Sequence, residues 1–199
     1  MKKFELTNEF VTNMFGTKLF RIRALVEFGD VEAGELGGYV EKESNLGHDD
    51  NAWVYGNARV YGDALVYDNA RVHDNAWVYG DAQVSGDALV YGNAWVYGNA
   101  QVSGDARVCG DARVCGNGDY AYAHGFGSVN RTTTFFRLKD GGVGVRCGCF
   151  YGTLAQFRDK IRETHGETKK AQEYLMLADL MELRFEEDEN EVGNRKYVE

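Results

Sequence analysis

Proline is absent from the 199-residue chain, although glycine occurs 25 times. Abundant glycine without proline argues for many tight turns and against a disordered linker. Cysteine is scarce: Cys109, Cys115, Cys147 and Cys149 are too few, in a chain this long, to make a disulfide framework. No run approaches the length of apolar sequence needed for a membrane-spanning helix. The N-terminal MKKFELTNEF has no apolar stretch behind its lysines and does not read as a signal peptide. Basic residues are outnumbered 22 to 31, for a net charge of −9, and a general nucleic-acid binder normally carries a basic stripe instead. These absences lead to the expectation of a soluble, reduced, cytoplasmic protein with neither membrane nor nucleic acid among its partners. The length suits one repeat domain with a smaller domain appended.

What is present is a repeat. From Val54 the chain reads VYGNAR VYGDAL VYDNAR VHDNAW VYGDAQ VSGDAL VYGNAW VYGNAQ VSGDAR VCGDAR VCG, eleven six-residue units across residues 51–116. Valine recurs every six residues from Val54 to Val114, and alanine follows each valine by four residues until the run ends. Between them stand Gly or Asp and then Asp or Asn, residues that tolerate positive φ in turns. Short strands therefore alternate with turns; each valine points inward and its two neighbours outward. Alanine is small because it occupies a crowded corner. Repetition this regular is the signature of a solenoid.

The pattern, aliphatic at the first position and small at the fifth, resembles the bacterial hexapeptide-repeat family. The resemblance implies a left-handed parallel β-helix with eighteen residues per triangular coil, often trimeric and frequently found in acyltransferases. It spans about a third of the chain. The flanking GELGGYVEKESNLGHDDNAWV and HGFGSVNRTTTFF are similar to those of repeat proteins from bacterial and prophage genomes, which makes a host-interaction or counter-defence role the expected setting.

With three strands per coil, residues eighteen apart stack. The first face carries Arg59/Tyr61, Trp77/Tyr79, Trp95/Tyr97 and Arg113/Cys115. A second carries Trp53/Tyr55, Arg71/His73, Leu89/Tyr91 and Arg107/Cys109; the third carries Leu65/Tyr67, Gln83/Ser85 and Gln101/Ser103. Tyr61, Trp77, Tyr79, Trp95 and Tyr97 form an outward aromatic patch of a kind that monomeric surfaces rarely tolerate. They are expected to be an interface, covered by another subunit of a homo-oligomer, with a trimer favoured, or by the terminal segments.

A solenoid needs caps, because its end coils expose core and unpaired strand edges. Residues 1–50 are expected to form an N-terminal β cap: 17–28 reads as a strand paired with 3–7, and Val40 and Leu46 fall in the register of the alanines. The coils run over 51–118. Residues 119–186 then read as an α+β domain made of a hairpin and two helices. The hairpin pairs 131–138 with 143–150 around Asp140-Gly141, a strong two-residue turn signal. That register places Thr134, Phe136, Leu138, Val143, Val145, Cys147 and Cys149 on a covered face. Arg131, Thr133, Phe135, Arg137, Arg146 and Phe150 fall on the other. Thr153 and Gln156 form a capping box for a helix burying Leu154, Phe157 and Ile161 and stopping at Gly166. A second helix over 168–185 buries Ala171, Tyr174, Leu175, Ala178 and Met181. Residues 187–199 form an acidic tail.

The exposed hairpin face interleaves arginine with phenylalanine. Guanidinium forks suit phosphate or carboxylate, and rings stack on a base. Arg131, Thr133, Phe135, Arg137, Arg146 and Phe150, with His124 nearby, are therefore candidates for a small anionic, nucleotide-like ligand. Cys147-Gly-Cys149 with His124 or His165 is too tightly spaced for a structural zinc site, so neither metal nor cofactor is expected. A γ-class carbonic anhydrase needs three histidine ligands, and the coils contain one. His124-Gly-Phe-Gly-Ser128 lacks the lysine of a phosphate loop. If the protein is an acyl-CoA-dependent transferase, the resemblance implies a histidine general base, and His73 is the one histidine within the coils. Those enzymes commonly extrude a loop from the coils to shape the acceptor site, and 51–116 has no insertion. The reading that follows is a non-catalytic binding protein for a small anionic ligand or a host protein. An acyltransferase and a purely structural module are the alternatives.

Overall fold

The computed structural model describes residues 2–127 and 129–186; the acidic tail read from the sequence lies outside them. The fold is mainly β: a parallel solenoid of about four turns between an N-terminal hairpin and a C-terminal sheet with two helices.

Eleven two-residue strands, β4 (Trp53–Val54) through β14 (Arg113–Val114), recur at six-residue intervals. Strands eighteen residues apart pair in parallel, as in Trp77↔Trp95 and Val78↔Val96. The backbone amides bind along the axis, with Trp77 N–H donating to the Ala94 carbonyl at 2.9 Å. Every valine from Val54 to Val114 and every alanine from Ala52 to Ala112 is buried, so the repeat's two apolar positions are the core. The corners are left-handed, with φ between 56° and 72° at eight glycines and at Asp68 and Asp74. A Cβ on Gly62 would sit 3.1 Å from the Gly80 amide nitrogen of the next coil. At the two aspartate corners the carboxylate uses that proximity: Asp68 and Asp74 accept from the Gly86 and Gly92 N–H groups at 3.0 and 3.1 Å.

The N-terminal segment extends the coil wall. β1 (Phe4–Thr12) pairs antiparallel with β2 (Lys18–Ala24), and β2 with β3 (Leu36–Val40). β3 then pairs parallel with β5 (Arg59–Val60), giving one seven-stranded sheet that runs through β8 (Trp77–Val78) and β11 (Trp95–Val96) to β14. Val40 lies beside Val60 and Leu46 bridges to Val66. Both therefore occupy the valine column, not the alanine register expected from sequence. The reason is that eight residues, not six, separate Leu46 from Val54. Gly38 takes the corner below Ala58, where a Cβ would meet the Ala58 carbonyl oxygen at 2.7 Å. Phe4 and Phe28 close over Trp53 edge to face. Beside them Lys3 donates to the Asp50 and Ala52 carbonyls at 2.7 and 2.9 Å, and burial pushes its amine down to about 8.

After the coils the chain forms an antiparallel sheet: β15 (Tyr120–Phe126), β16 (Arg131–Arg137), β17 (Val143–Cys147) and β18 (Phe150–Thr153). The central hairpin is shifted by one residue from the sequence-derived register. Phe135 pairs with Val145 and Thr134 with Arg146, because the connection is longer than two residues: Leu138 N–H donates to the Gly142 carbonyl at 2.8 Å. A one-residue slip exchanges the faces of one strand relative to the other. Phe136 accordingly joins the solenoid core, whereas Phe135, Val145 and Cys147 pack under the helices. Thr134 Oγ1 accepts from the Arg107 amide at 2.9 Å, tying the sheet to the last coil.

α1 (Leu154–His165) begins at the expected capping box, with Thr153 and Gln156 exchanging hydrogen bonds of 2.9 and 3.3 Å. It buries Leu154, Phe157 and Ile161 and ends at Gly166. α2 (Lys169–Phe185) buries Ala171, Tyr174, Ala178, Met181 and Phe185, and Leu175 is half-buried. Cys147 is buried as expected, but Cys149 is exposed, because β17 ends at Cys147 and Gly148-Cys149 form the turn into β18. No helix among the described residues is long and apolar enough to cross a membrane.

Candidate functional site

The coil repeat builds its surfaces as columns, and the first face is the most ordered of them. Tyr61, Tyr79 and Tyr97 stack with ring centroids 5.0 and 5.1 Å apart and interplanar angles of 2° and 7°. Beside them Trp77 and Trp95 stack at 5.2 Å and 13°. The tryptophan column is closed at both ends by guanidiniums: Arg59 lies 5.0 Å from the Trp77 ring and Arg113 4.2 Å from the Trp95 ring. The N-terminal hairpin continues it. Tyr39 pairs with Arg59, and Arg21, next along the sheet, sits over the Tyr39 ring at 5.5 Å. Glu9 of β1 completes the series, accepting from Arg21 at 3.0 Å and from the Tyr39 hydroxyl at 3.1 Å. Leu19 and Val11 extend the tyrosine column in the same direction.

The five residues expected at an interface thus belong to one ladder that the N-terminal segment covers only at its start. Tyr61 is buried; Trp77, Tyr79, Trp95 and Tyr97 remain half-exposed. Because the rings stack on each other, their faces are used internally and their edges are presented outward. Burial pushes the Tyr61 phenol up to about 12, and that of Tyr79 higher still. Sequence reasoning missed Arg21, Tyr39 and Glu9, which join the ladder only through sheet pairing; no periodicity signals them.

The residues proposed from sequence for an anionic ligand are not brought together. Arg131, Thr133, Phe135 and Arg137 alternate onto the helix side of the sheet, where Thr133 and Phe135 are buried and Arg137 lies 5.2 Å from the Phe185 ring. Phe150 packs on Phe157 at 5.5 Å. The Arg131 side chain lies against Gly148, where an added Cβ would collide with its guanidinium. Arg146, displaced by the one-residue slip, faces the coils, 5.9 Å from the Tyr91 ring. His124 is exposed, with Nδ1 2.9 Å from Thr132 Oγ1 and 3.6 Å from Asp105. The helices pack on one side of the sheet and the coil end meets the other, so the interleaved Arg and Phe do not share one open platform.

The second face holds His73 in an open groove of about 870 Å³ lined by Tyr55, Arg71, Asp74, Asn57, Asn75 and Leu89, among others. Tyr91 stacks on the His73 ring at 4.9 Å, and Asp74 lies 3.3 Å from His73 Nδ1. Asp30, from the N-terminal cap, walls one end by binding both the Tyr55 hydroxyl at 2.9 Å and Arg71 at 3.0 Å. No group of three or more potential metal ligands occurs among the described residues.

Residues 52–67, 64–80, 82–98 and 100–116 match the family model for the YdcK β-solenoid repeat, and the coils are similar to that repeat. No curated protein matches the chain.

Proposed function

We propose that this chain, with its repeat β-helix as the scaffold, is a non-catalytic binding protein that self-associates through the aromatic–arginine ladder. The observation that carries this reading is the ladder's continuity: two columns of aromatic and cationic side chains along one seven-stranded sheet, half-buried and edge-on. Trp, Tyr and Arg are the residues that dominate protein–protein hot spots. Rings that stack on one another leave no free face for a base or a sugar, which favours a protein partner over a small planar one. A second copy is the partner whose side chains recur at the same coil spacing. With the two solenoid axes parallel, its Arg and Trp column can lie along the column of Tyr61, Tyr79 and Tyr97 at the same coil spacing. Three copies are the number that the hexapeptide-repeat resemblance implies, and its prophage setting makes a host protein the alternative occupant of the face.

Native mass spectrometry tests this. The wild type is expected as an oligomer, and Trp77→Lys with Trp95→Lys as a folded monomer. An unchanged oligomer in the double variant rejects the face as the contact. A wild-type monomer hands the face to a different protein.

A second reading, acyl transfer, draws on the groove beside His73 and on Asp74 at its Nδ1, an orienting carboxylate of the kind a general base needs. The hexads continue without an extruded loop, so the groove lacks the wall that would shape an acceptor site. Release of free thiol from acetyl-CoA in the presence of amine acceptors, lost in His73→Ala, would establish this reading.

A further inference from the structure

On the second face Arg146 lies 5.9 Å from the Tyr91 ring and Arg107 stands over Leu89 in the next coil, and neither makes an ion pair among the described residues. Arg146 arrives from β17 of the C-terminal sheet and Arg107 from β13 (Arg107–Val108), one coil beyond Leu89. The ion pairs among the described residues engage Arg21, Arg23, Arg71, Arg158 and Arg162, but not these two. Arg146 donates a single long hydrogen bond, 3.3 Å, to the Cys149 carbonyl, and its Nε is buried without a partner. Arg107 gives its backbone amide to Thr134 and leaves its side chain exposed. Burial, together with the hydrogen bond to the Cys109 thiol, holds the Tyr91 phenol well above its ordinary range against the two cations, so the hydroxyl stays protonated.

In a protein of net charge −9, two arginines without an ion pair beside a protonated phenol make a site opposite in sign to the chain's net charge. Charge-assisted bonds from guanidinium to a phosphate oxygen are among the strongest a surface can make. The His73–Tyr91 stack and Leu89 supply an apolar floor, and the groove lined by Asn57, Asn75 and Arg71 opens beside it.

We propose that Arg107, Arg146 and Tyr91 bind the phosphate of a small phosphate monoester whose polar body lies in the groove along His73. The site uses a different face from the ladder and stands whether or not the protein self-associates there.

Isothermal titration with ribose 5-phosphate, ribose and inorganic phosphate tests the assignment. The wild type is expected to bind ribose 5-phosphate with a Kd of about 1 mM or tighter, inorganic phosphate more weakly, and ribose not at all. Arg107→Gln, at an exposed position, is expected to weaken ribose 5-phosphate by about tenfold or more without moving the melting temperature. Arg146→Gln should do the same, and Arg59→Gln on the ladder face should leave binding unchanged. Absence of binding by both phosphates in the wild type overturns the proposal. So does equal affinity for ribose, or wild-type affinity in a folded Arg107→Gln.

Discussion

Asp68 and Asp74 stand where the other regular corners have glycine, at φ of 56° and 61°. Left-handed backbone costs a side-chain-bearing residue free energy, and here each carboxylate offsets it by accepting an amide of the coil above. The two contributions separate by substitution. Asp74→Gly removes both the strain and the acceptor and should change stability by less than about 1 kcal/mol. Asp74→Ala keeps the strain and loses the acceptor, and should cost about 1–3 kcal/mol in urea denaturation. A harmless Asp74→Ala would contradict the role assigned to this corner. The inward and outward positions are tested in the same way. Val78→Asp puts a carboxylate into a fully buried column and should cost at least about 3 kcal/mol. Gln83→Asp, pointing outward, should stay within about 0.5 kcal/mol, and similar melting temperatures for the two would reverse the assignment. Tyr61 supplies a titration test. Its phenol, pushed up to about 12 by burial, keeps its proton in the folded state after the unfolded chain has lost it. The stability it contributes is therefore complete below pH of about 10 and disappears as pH rises from about 10 to 12. The ζ-carbon resonance of labelled Tyr61 should stay constant past pH 10; a midpoint near 10 would mean that the ring is solvated.

At the scale of elements, what was legible in the sequence is what obeys a fixed period. The valine and alanine columns, the three faces and the capping box of α1 all follow from spacing alone. The departures occur where the chain adds or saves a residue. Two additional residues between Leu46 and Val54 moved the first coil from the expected alanine register into the valine column. A longer connection around Asp140-Gly141 slipped the hairpin by one and carried Arg146 to the opposite side from Phe135. Local turn chemistry proposes a register, and packing on both sides of the sheet decides it. Here Phe136 must enter the coil end and Phe135 the helix layer. β15 and β18 went unread because YAYAHGF and FYGT carry glycines and no clear alternation; their pairing partners define them. The residues of the candidate anionic site part onto two sides of the sheet with the register, while the aromatic columns are fixed by the repeat. The capping box gives a quantitative check. Thr153→Ala removes the acceptor for Gln156 N–H and should cost about 1 kcal/mol, read as a shifted urea midpoint with an unchanged slope.

For the whole molecule, the coils divide their surfaces by what covers them. One end of the core is closed by Phe4, Phe28 and Trp53 and the other by Phe136 and Tyr120. Removal of residues 119–199 should therefore expose the last coil's strand edges and give aggregated protein in a sedimentation assay. Monomeric soluble protein would mean that the C-terminal sheet is not a cap. Among the described residues the ladder is left half-exposed beyond Tyr61, which is why assembly is the central claim. Of the three tryptophans, Trp53 is fully buried, and Trp77 and Trp95 form the ladder. Tryptophan fluorescence in a Trp53→Phe variant thus reports on that face alone. The most direct measurement is acrylamide quenching of that emission across a dilution series, with the oligomer fraction followed in parallel by light scattering. The account predicts quenching that falls by about threefold or more as the oligomer forms, in line with burial at a packed interface. Quenching that stays constant while the oligomer assembles would place the subunit contact elsewhere and contradict it.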